Sequence, residues 1–321
     1  MPLIVEDDDM VAECNFHVTL WPAFDHFPRF SKDPRVQGIR LNSAMMLASE
    51  INETFEKRAS EATVPLWFDI KGMQLRIKEV ISDPADPSWD HLEFILNRPV
   101  HTKTPFVVEF KAGEDRAQCV EIRDGTHFIF KHGGPKMEVR AGESIHIRQP
   151  HIVQGPVFLD YELEKIQKIV SLGFTRFYLS YVYAWDHVAQ FRELIGEDAE
   201  LVLKIENQLG LEWVAREYKP VPHTYLAAAR GDLYVEVDYP HQIMKAVKSI
   251  IDADPNAFVG SRLLLSMVNG KTPRCADFSD LAWLYDIGYR NFLLCDELCL
   301  KEDLLGRSIS VFDAFRKEYH G

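Results

Sequence analysis

Residues Leu201–Gly210 read Leu-Val-Leu-Lys-Ile-Glu-Asn-Gln-Leu-Gly, and this stretch indicates how the chain folds. It begins with a short apolar run, which is typical of a buried strand. Lys204 and Glu206 are two positions apart, so on a strand their side chains project from the same face. Burying an ammonium and a carboxylate is costly unless they pair or hold a ligand. The stretch therefore predicts a buried strand that ends in a charged site.

A second charged strand end follows at Tyr225–Leu233, where Asp232 comes just after a run of small residues and a glycine. In a parallel barrel, Glu206 and Asp232 would converge at the carboxyl ends of neighbouring strands. Two hard carboxylates with open positions suit Mg²⁺ or Mn²⁺, which would take its remaining ligands from substrate oxygens. The alternative interpretation is an ordinary buried ion pair, either Lys204–Glu206 or Arg230–Asp232.

Composition narrows the class of protein. The chain has 321 residues, a hydrophobic share of 46%, a net charge of −13 and a pI near 5.4. The acidic balance argues against nucleic acid or an anionic membrane as the main partner. No apolar run is long enough for a membrane span, and the five scattered cysteines lack zinc-site spacing. We therefore expect a cytoplasmic globular enzyme whose cysteines are free thiols. The enzyme could form a homo-oligomer.

The segment pattern indicates the fold class. Strand-like and helix-like segments alternate along most of the chain, but residues 80–151 contain only short strand-like runs separated by Asp-Gly, Gly-Gly and Ala-Gly turn signals. We predict a (β/α)₈ TIM barrel formed by residues 1–79 and 152–321, with a small antiparallel β lid domain inserted at residues 80–151. The detailed predictions include a helix over Ser43–Ala62 and a lid strand at Lys136–Val139.

Four histidines of the predicted lid are candidate metal ligands. Their spacing is irregular, and irregular spacing favours a solvated lid surface over a metal site. The four residues are His127, His132, His146 and His151.

Eight short stretches place polar residues near predicted strand ends or helix starts. In chain order they are Thr19–Ala23 (TLWPA), Ile39–Asn42 (IRLN), Phe68–Arg76 (FDIKGMQLR), Leu179–Val182 (LSYV), Lys204–Gly210 (KIENQLG), Ala229–Leu233 (ARGDL), Ser279–Ala282 (SDLA) and Leu294–Glu297 (LCDE).

In this order the stretches resemble pyruvate kinase along nearly the whole barrel, with K-I-E-N-x-x-G and A-R-G-D-L matching outright. The resemblance implies a divalent cation, Mg²⁺ or Mn²⁺, and phosphoryl transfer between phosphoenolpyruvate and a nucleotide, ADP or ATP. This chemistry depends mainly on metal ions and fixed cations. The resemblance implies that Glu206 and Asp232 bind the metal. It implies that the catalytic residues are Lys204, Arg40 and Ser261, with Ser261 as proton donor. The implied substrate-binding residues are Gly231, Asp232, Arg76 and Ser180.

Several positions depart from the family pattern. Asn42 and Asp69 of the monovalent-cation site are retained, but Ala44 and Ile70 replace hydroxyl residues, which is expected to weaken a K⁺ site. Trp21 replaces a glycine near the expected nucleotide; it could stack on a base or block the pocket, and its bulk favours blocking. Met45 and Cys275 replace a histidine and an arginine. No counterpart of the family's C-terminal regulatory domain is expected, because the chain ends with the last predicted barrel helix.

Three functional hypotheses follow. The first is a pyruvate kinase-like phosphotransferase that acts on phosphoenolpyruvate, pyruvate or a related 2-oxo acid. The second is a metal-dependent lyase or decarboxylase that acts on oxaloacetate-like acids without a nucleotide, since the same enolate chemistry would serve it. The third is a non-catalytic pseudoenzyme of the same fold, which the substitutions at Trp21, Met45 and Cys275 favour.

Overall fold

A computed structural model describes residues 14–82, 92–130, 134–270 and 272–319. Strands and helices alternate along most of this part of the chain. The strands are β1 (Asn15–Thr19), β2 (Gly38–Asn42), β3 (Leu66–Ile70), β4 (Ile77–Ser82), β5 (Leu92–Leu96), β6 (Val100–His101), β7 (Phe106–Phe110), β8 (Asp115–Arg123), β9 (His127–Phe130), β10 (Ile152–Val153), β11 (Arg176–Leu179), β12 (Glu200–Ile205), β13 (Thr224–Ala229), β14 (Phe258–Gly260) and β15 (Asn291–Leu293).

The α-helices of the described residues vary in length from one turn to nearly five. Two of them start at an asparagine whose side chain accepts hydrogen bonds from the first turn: Asn52 before α2 and Asn207 before α5. The helices are α1 (Phe27–Phe30), α2 (Glu53–Ser60), α3 (Asp160–Ser171), α4 (Trp185–Ile195), α5 (Gln208–Arg216), α6 (Arg230–Glu236), α7 (Ile243–Ala253), α8 (Cys275–Asp286) and α9 (Glu302–Glu318).

Eight parallel strands close into a barrel, in the order β1, β2, β3, β11, β12, β13, β14 and β15. Apolar side chains on the outer face of these strands pack against the helices and form the main core, as in a TIM barrel. The predicted (β/α)₈ architecture is therefore confirmed at this level. No helix among the described residues is long and apolar enough to cross a membrane.

The barrel interior is filled below its carboxyl-terminal end by a layer of mostly aromatic side chains. Trp67, Tyr178 and Phe258 pack together there, and the Tyr178 hydroxyl lies 3.1 Å from Nδ1 of His17. Burial lowers the pKa of His17 to about 3, so its imidazole is neutral at physiological pH. The layer closes the barrel and forms the floor of the cavity above it.

The antiparallel strands follow β3 and precede β11 in the chain. They form a five-stranded sheet in the order β4-β5-β9-β8-β7 and a two-stranded sheet of β6 and β10. The five-stranded sheet has a hydrophobic core of its own, which includes Phe94, Phe110, Phe128 and Phe130. We refer to residues 77–153 as the antiparallel region.

The element bounds differ from the predictions in three places. The helix expected over Ser43–Ala62 is only α2, because two short 3₁₀ turns precede it and Asn52 caps its start. No strand forms at Lys136–Val139, whose residues are mostly exposed. Strand β4 begins at Ile77, so the lid boundary predicted at residue 80 falls inside a strand.

Candidate active site

Charged side chains meet at the carboxyl ends of the barrel strands because of the two-residue repeat of β-structure. Asp69 lies two positions beyond Trp67, and Lys204 lies two positions beyond Val202, so both project into the barrel above the aromatic floor. Ser180 follows Tyr178 in the same way. These charges therefore stand on an apolar base, where water screens them poorly.

Asp69 is the centre of this charged layer. Its carboxylate is fully buried, and Oδ2 lies 2.8 Å from Lys71 Nζ, 3.1 Å from Arg40 Nε and 3.5 Å from Lys204 Nζ. Burial alone would raise the pKa of Asp69, but the three cations outweigh it and hold the pKa below its ordinary value. Asp69 is thus a permanent anion that gathers three cations at one end of the barrel.

Lys204 joins this cluster to the neighbouring acids. Its ammonium donates to Ser180 Oγ at 2.8 Å and lies 3.1 Å from Glu206 Oε1. Burial would lower the pKa of Lys204, but Asp69 and Glu206 raise it above its ordinary value. The prediction that Lys204 and Glu206 share a face is confirmed, and both side chains are buried.

Glu206 and Asp232 come together as the sequence predicts. Their carboxyl groups share a hydrogen bond, Glu206 Oε2 accepts from the Tyr181 amide at 2.8 Å, and Asp232 Oδ2 accepts from Gln74 Nε2 at 3.0 Å. Burial raises the pKa of Glu206 to about 7; Lys204 opposes this rise and Asp232 adds to it. Two carboxyl groups that retain a proton between them fit a divalent cation, which would replace that proton.

Glu206 and Asp232 are the two carboxylates in the described residues that we expect to bind a metal ion. Among the described residues, no three His, Cys, Asp or Glu side chains are arranged around one point as ligands of a single ion. A cation held by Glu206 and Asp232 would therefore take its other ligands from water or substrate, as Mg²⁺ commonly does.

Of the two buried ion pairs that the alternative interpretation named, Lys204–Glu206 forms at 3.1 Å, whereas Arg230 and Asp232 do not pair within the described part of the chain. Arg230 NH1 instead contacts Asp280 Oδ1 at 2.7 Å, and its guanidinium also donates to the Ser261 carbonyl. This leaves Asp232, in the first turn of α6, free to face the barrel mouth and Glu206.

His146 belongs to this site, although the sequence analysis placed it on a solvated surface. Its side chain is only 1% exposed, with Nδ1 3.0 Å from Glu236 Oε1 and Nε2 3.8 Å from Asp232 Oδ1. Burial would lower the pKa of His146, but Glu236 and Asp232 raise it above its ordinary value. No local pattern signals this role, because both carboxylates come from α6, far along the chain. Of the other histidines, His127 and His151 are half-buried, and His132 lies outside the described residues.

The predicted monovalent-cation residues already have partners. Asn42 Nδ2 donates to Asp296 Oδ2 at 2.8 Å, and Asn42 Oδ1 accepts from the Ala44 amide at 3.2 Å. Asp69 is surrounded by its three cations. Asp296, which the sequence analysis did not single out, also contacts Arg40 NH2 at 3.0 Å. Side-chain nitrogens therefore occupy the surroundings that a bound K⁺ would need.

The remaining predicted substrate residues line the same mouth. Gly231 lies beside Ser261, where an added Cβ would come within 3.2 Å of the serine Oγ. Ser261 itself has a positive φ of 63°, which turns the chain sharply after β14. Arg76 lines the mouth too and donates to Gln74 Oε1, so it orients the side chain that holds Asp232.

These residues enclose a cavity of about 530 Å³, to which the antiparallel region contributes Ala112, Gly113, Glu114 and Ser144. Cationic and acidic side chains line it in equal number. The cations are Arg40, Lys71, Arg76, Lys204 and Arg262, and the acids are Glu114, Glu206, Asp232, Asp296 and Glu297.

A second cavity of about 860 Å³ adjoins the first, and Lys71 and Arg76 line both. Met45 and Leu47 are exposed in it, and Tyr161 forms part of its wall. Trp21, which the sequence placed near a nucleotide, is buried beside Phe55 in the main core. Within the described residues, its indole therefore neither stacks in this cavity nor fills it.

Comparison with known proteins does not identify the chain: no family model matches it, and no curated protein is similar enough to match.

Proposed function

We propose that the protein is a pyruvate kinase-like phosphotransferase that moves a phosphoryl group between phosphoenolpyruvate and a nucleotide, with a divalent cation held by Glu206 and Asp232. One observation carries the proposal: Lys204 is buried at the barrel mouth between Asp69 and Glu206, beside Asp232. Phosphoryl transfer requires cations fixed around the moving group more than it requires covalent chemistry.

The roles of the chain's own residues follow from their positions. Bound there, a divalent cation would supply charge neutralisation between the enolpyruvate oxygens and the phosphoryl group. Lys204, held by Ser180 and Glu206, would offset charge on the phosphoryl group or the enolate. Arg40, which contacts the same Asp69 oxygen as Lys204, would also contact the phosphoryl group.

Proton delivery completes the reaction. When the phosphoryl group leaves the enol oxygen, the enolate carbon must take up one proton to become the methyl group of pyruvate. Ser261 lines the cavity and carries the hydroxyl nearest Gly231, so it would give that proton to the carbon and take up another from water. The acceptor nucleotide would lie in the adjoining cavity, because Lys71 and Arg76 face both spaces.

A coupled assay of pyruvate formation from phosphoenolpyruvate and ADP, with Mg²⁺ or Mn²⁺ and with or without K⁺, tests the proposal. Lys204→Met should reduce turnover by at least about 100-fold, as expected when one charge-stabilising group is lost. Lys248→Met is the matched control, since Lys248 is exposed on α7 and pairs with Asp252 on the same helix. Absence of turnover in the wild type, or full activity of Lys204→Met, would refute the proposed reaction.

A second function is favoured by one contact. Asp296 lies against Arg40, the residue assigned to the phosphoryl group, and this suits a less charged substrate such as a 2-oxo acid. A metal-dependent decarboxylase or lyase acting on oxaloacetate would use the same enolate site without a nucleotide. Pyruvate release from oxaloacetate above the rate with metal alone, and independent of ADP, would favour this function over the first.

A further inference from the structure

Asp296 is an acid of the cavity that directly contacts Arg40, the residue assigned to the phosphoryl group. It begins a short 3₁₀ turn after β15, and its carboxylate lies 3.0 Å from Arg40 NH2 and 2.8 Å from Asn42 Nδ2. About one third of its side chain is exposed, whereas the Asp69 side chain is fully buried. Arg40 therefore has one carboxylate beneath it and one at the cavity side.

This arrangement affects any anion that enters. Arg40 and Asp296 both line the cavity at the barrel mouth. A phosphate or carboxylate that reaches Arg40 must displace Asp296 or remain close to it. Like charges held this close repel each other, so such an anion loses part of the affinity that Arg40 would otherwise give.

A divalent cation changes this balance. The cavity wall carries cationic and acidic side chains in equal number, so it offers little net attraction to a free anion. A cation between Glu206 and Asp232 would add two positive charges to the same cavity. An anion that binds together with the cation then meets a positive site in spite of Asp296.

We infer that Asp296 is a specificity-determining residue that keeps metal-free anions away from Arg40 and restricts the mouth to anions that bind with a divalent cation. The inference rests on the proposed function in one respect, the assignment of Arg40 as an anion contact. It adds a reason why free phosphate, free carboxylates and nucleotides without metal would not compete with the metal-bound substrate.

Isothermal titration calorimetry with inorganic phosphate in the presence of EDTA tests the inference. Asp296→Asn keeps the size and hydrogen-bonding shape of the side chain but removes its charge, and we expect phosphate affinity to rise at least about tenfold. Asp296→Glu keeps the charge and should bind phosphate as weakly as the wild type. Asp313→Asn is the matched control, because Asp313 pairs with Arg316 and Lys317 on the outer helix α9.

The same titration with oxalate and Mn²⁺ provides the contrast. Here Asp296→Asn should gain less than it gains with metal-free phosphate, since the cation already offsets the charge of Asp296. If Asp296→Asn folds poorly, Asp296→Gly removes the same carboxylate and must show the same gain.

Unchanged or weaker phosphate binding in a folded Asp296→Asn or Asp296→Gly would overturn the inference, and so would an equal gain in Asp296→Glu. These outcomes are independent of turnover. Tighter phosphate binding in a protein without phosphotransferase activity would support the role of Asp296 while the proposed function fails. Phosphotransferase activity without tighter phosphate binding in the Asp296 variants would support the proposed function and refute the role of Asp296.

Discussion

Replacing Asp69 by asparagine is expected to destabilise the protein strongly, because this one carboxylate compensates three buried cations. Arg40, Lys71 and Lys204 all lie within 3.5 Å of Asp69 Oδ2, and none of their side chains is more than 10% exposed. Asparagine preserves the shape but leaves these cations without their common anion. Breaking a buried pair by removing one partner costs roughly 3–5 kcal/mol.

The expected loss can be converted into a melting temperature. With an unfolding entropy of about 2.1 cal/mol/K per residue, the melting temperature of a 321-residue protein falls by about 1.5 °C for each kcal/mol of stability that is lost. Asp69→Asn should therefore melt about 4–7 °C below the wild type. The control Asp303→Asn removes an exposed partner of Arg307 and should change stability by less than about 0.5 kcal/mol.

The pH dependence provides a sharper test of the same reasoning. Burial lowers the pKa of Lys71 to about 8 even though Asp69 opposes this shift, so the pKa should fall further in Asp69→Asn. A lysine with a lowered pKa binds fewer protons folded than unfolded, and the stability of the folded state then rises with pH. The deficit of Asp69→Asn, measured by urea unfolding, should thus shrink between pH 6 and pH 9. A variant as stable as the wild type, or a deficit that grows with pH, would refute the reasoning.

Two further predictions use other parts of the barrel. Mn²⁺-dependent oxalate binding should weaken as the pH rises through about 8, because burial lowers the pKa of Lys71 to about 8 and the neutral amine no longer attracts the anion. Calorimetry at pH 7 and pH 9 checks this, and Lys71→Met should bind oxalate weakly at both pH values. Gly38→Ala should lower the free energy of unfolding in urea by about 1–3 kcal/mol, since an added Cβ would lie 2.3 Å from the His17 imidazole. Gly306→Ala in α9 has room for the Cβ and should be neutral or stabilising. Equal stabilities of the two variants would show that the contact with His17 is not tight.

The parts of the site that sequence reasoning predicted are those set by short-range geometry. Lys204 and Glu206 share a face because β-structure repeats every two residues, and this repeat is visible in six residues of sequence. Asp232 follows the next strand, and the barrel order places that strand beside β12. Local periodicity and strand order therefore suffice to bring these three side chains together.

The parts that it missed depend on contacts between distant segments. His146 meets Glu236, 90 positions away, and Asp296 meets Asn42 across 254 positions. Neither residue has a neighbour in sequence that signals its partner. The helix predicted over Ser43–Ala62 is wrong for a local reason: Asn52 is a favourable N-cap, so the helix starts after it although the apolar spacing begins earlier.

The aromatic floor and the charged mouth depend on each other. Trp67, Tyr178 and Phe258 close the barrel without adding a compensating charge, so the ions above them must satisfy one another. The result is a chain of contacts from Asp296 through Arg40, Asp69 and Lys204 to Glu206, in which acids and cations alternate. A ligand that binds to one of these five residues changes the electrostatic environment of the others, because each charged group is paired with the next. Anion binding at Arg40 and cation binding at Glu206 should therefore be coupled, and the coupling should favour their binding together.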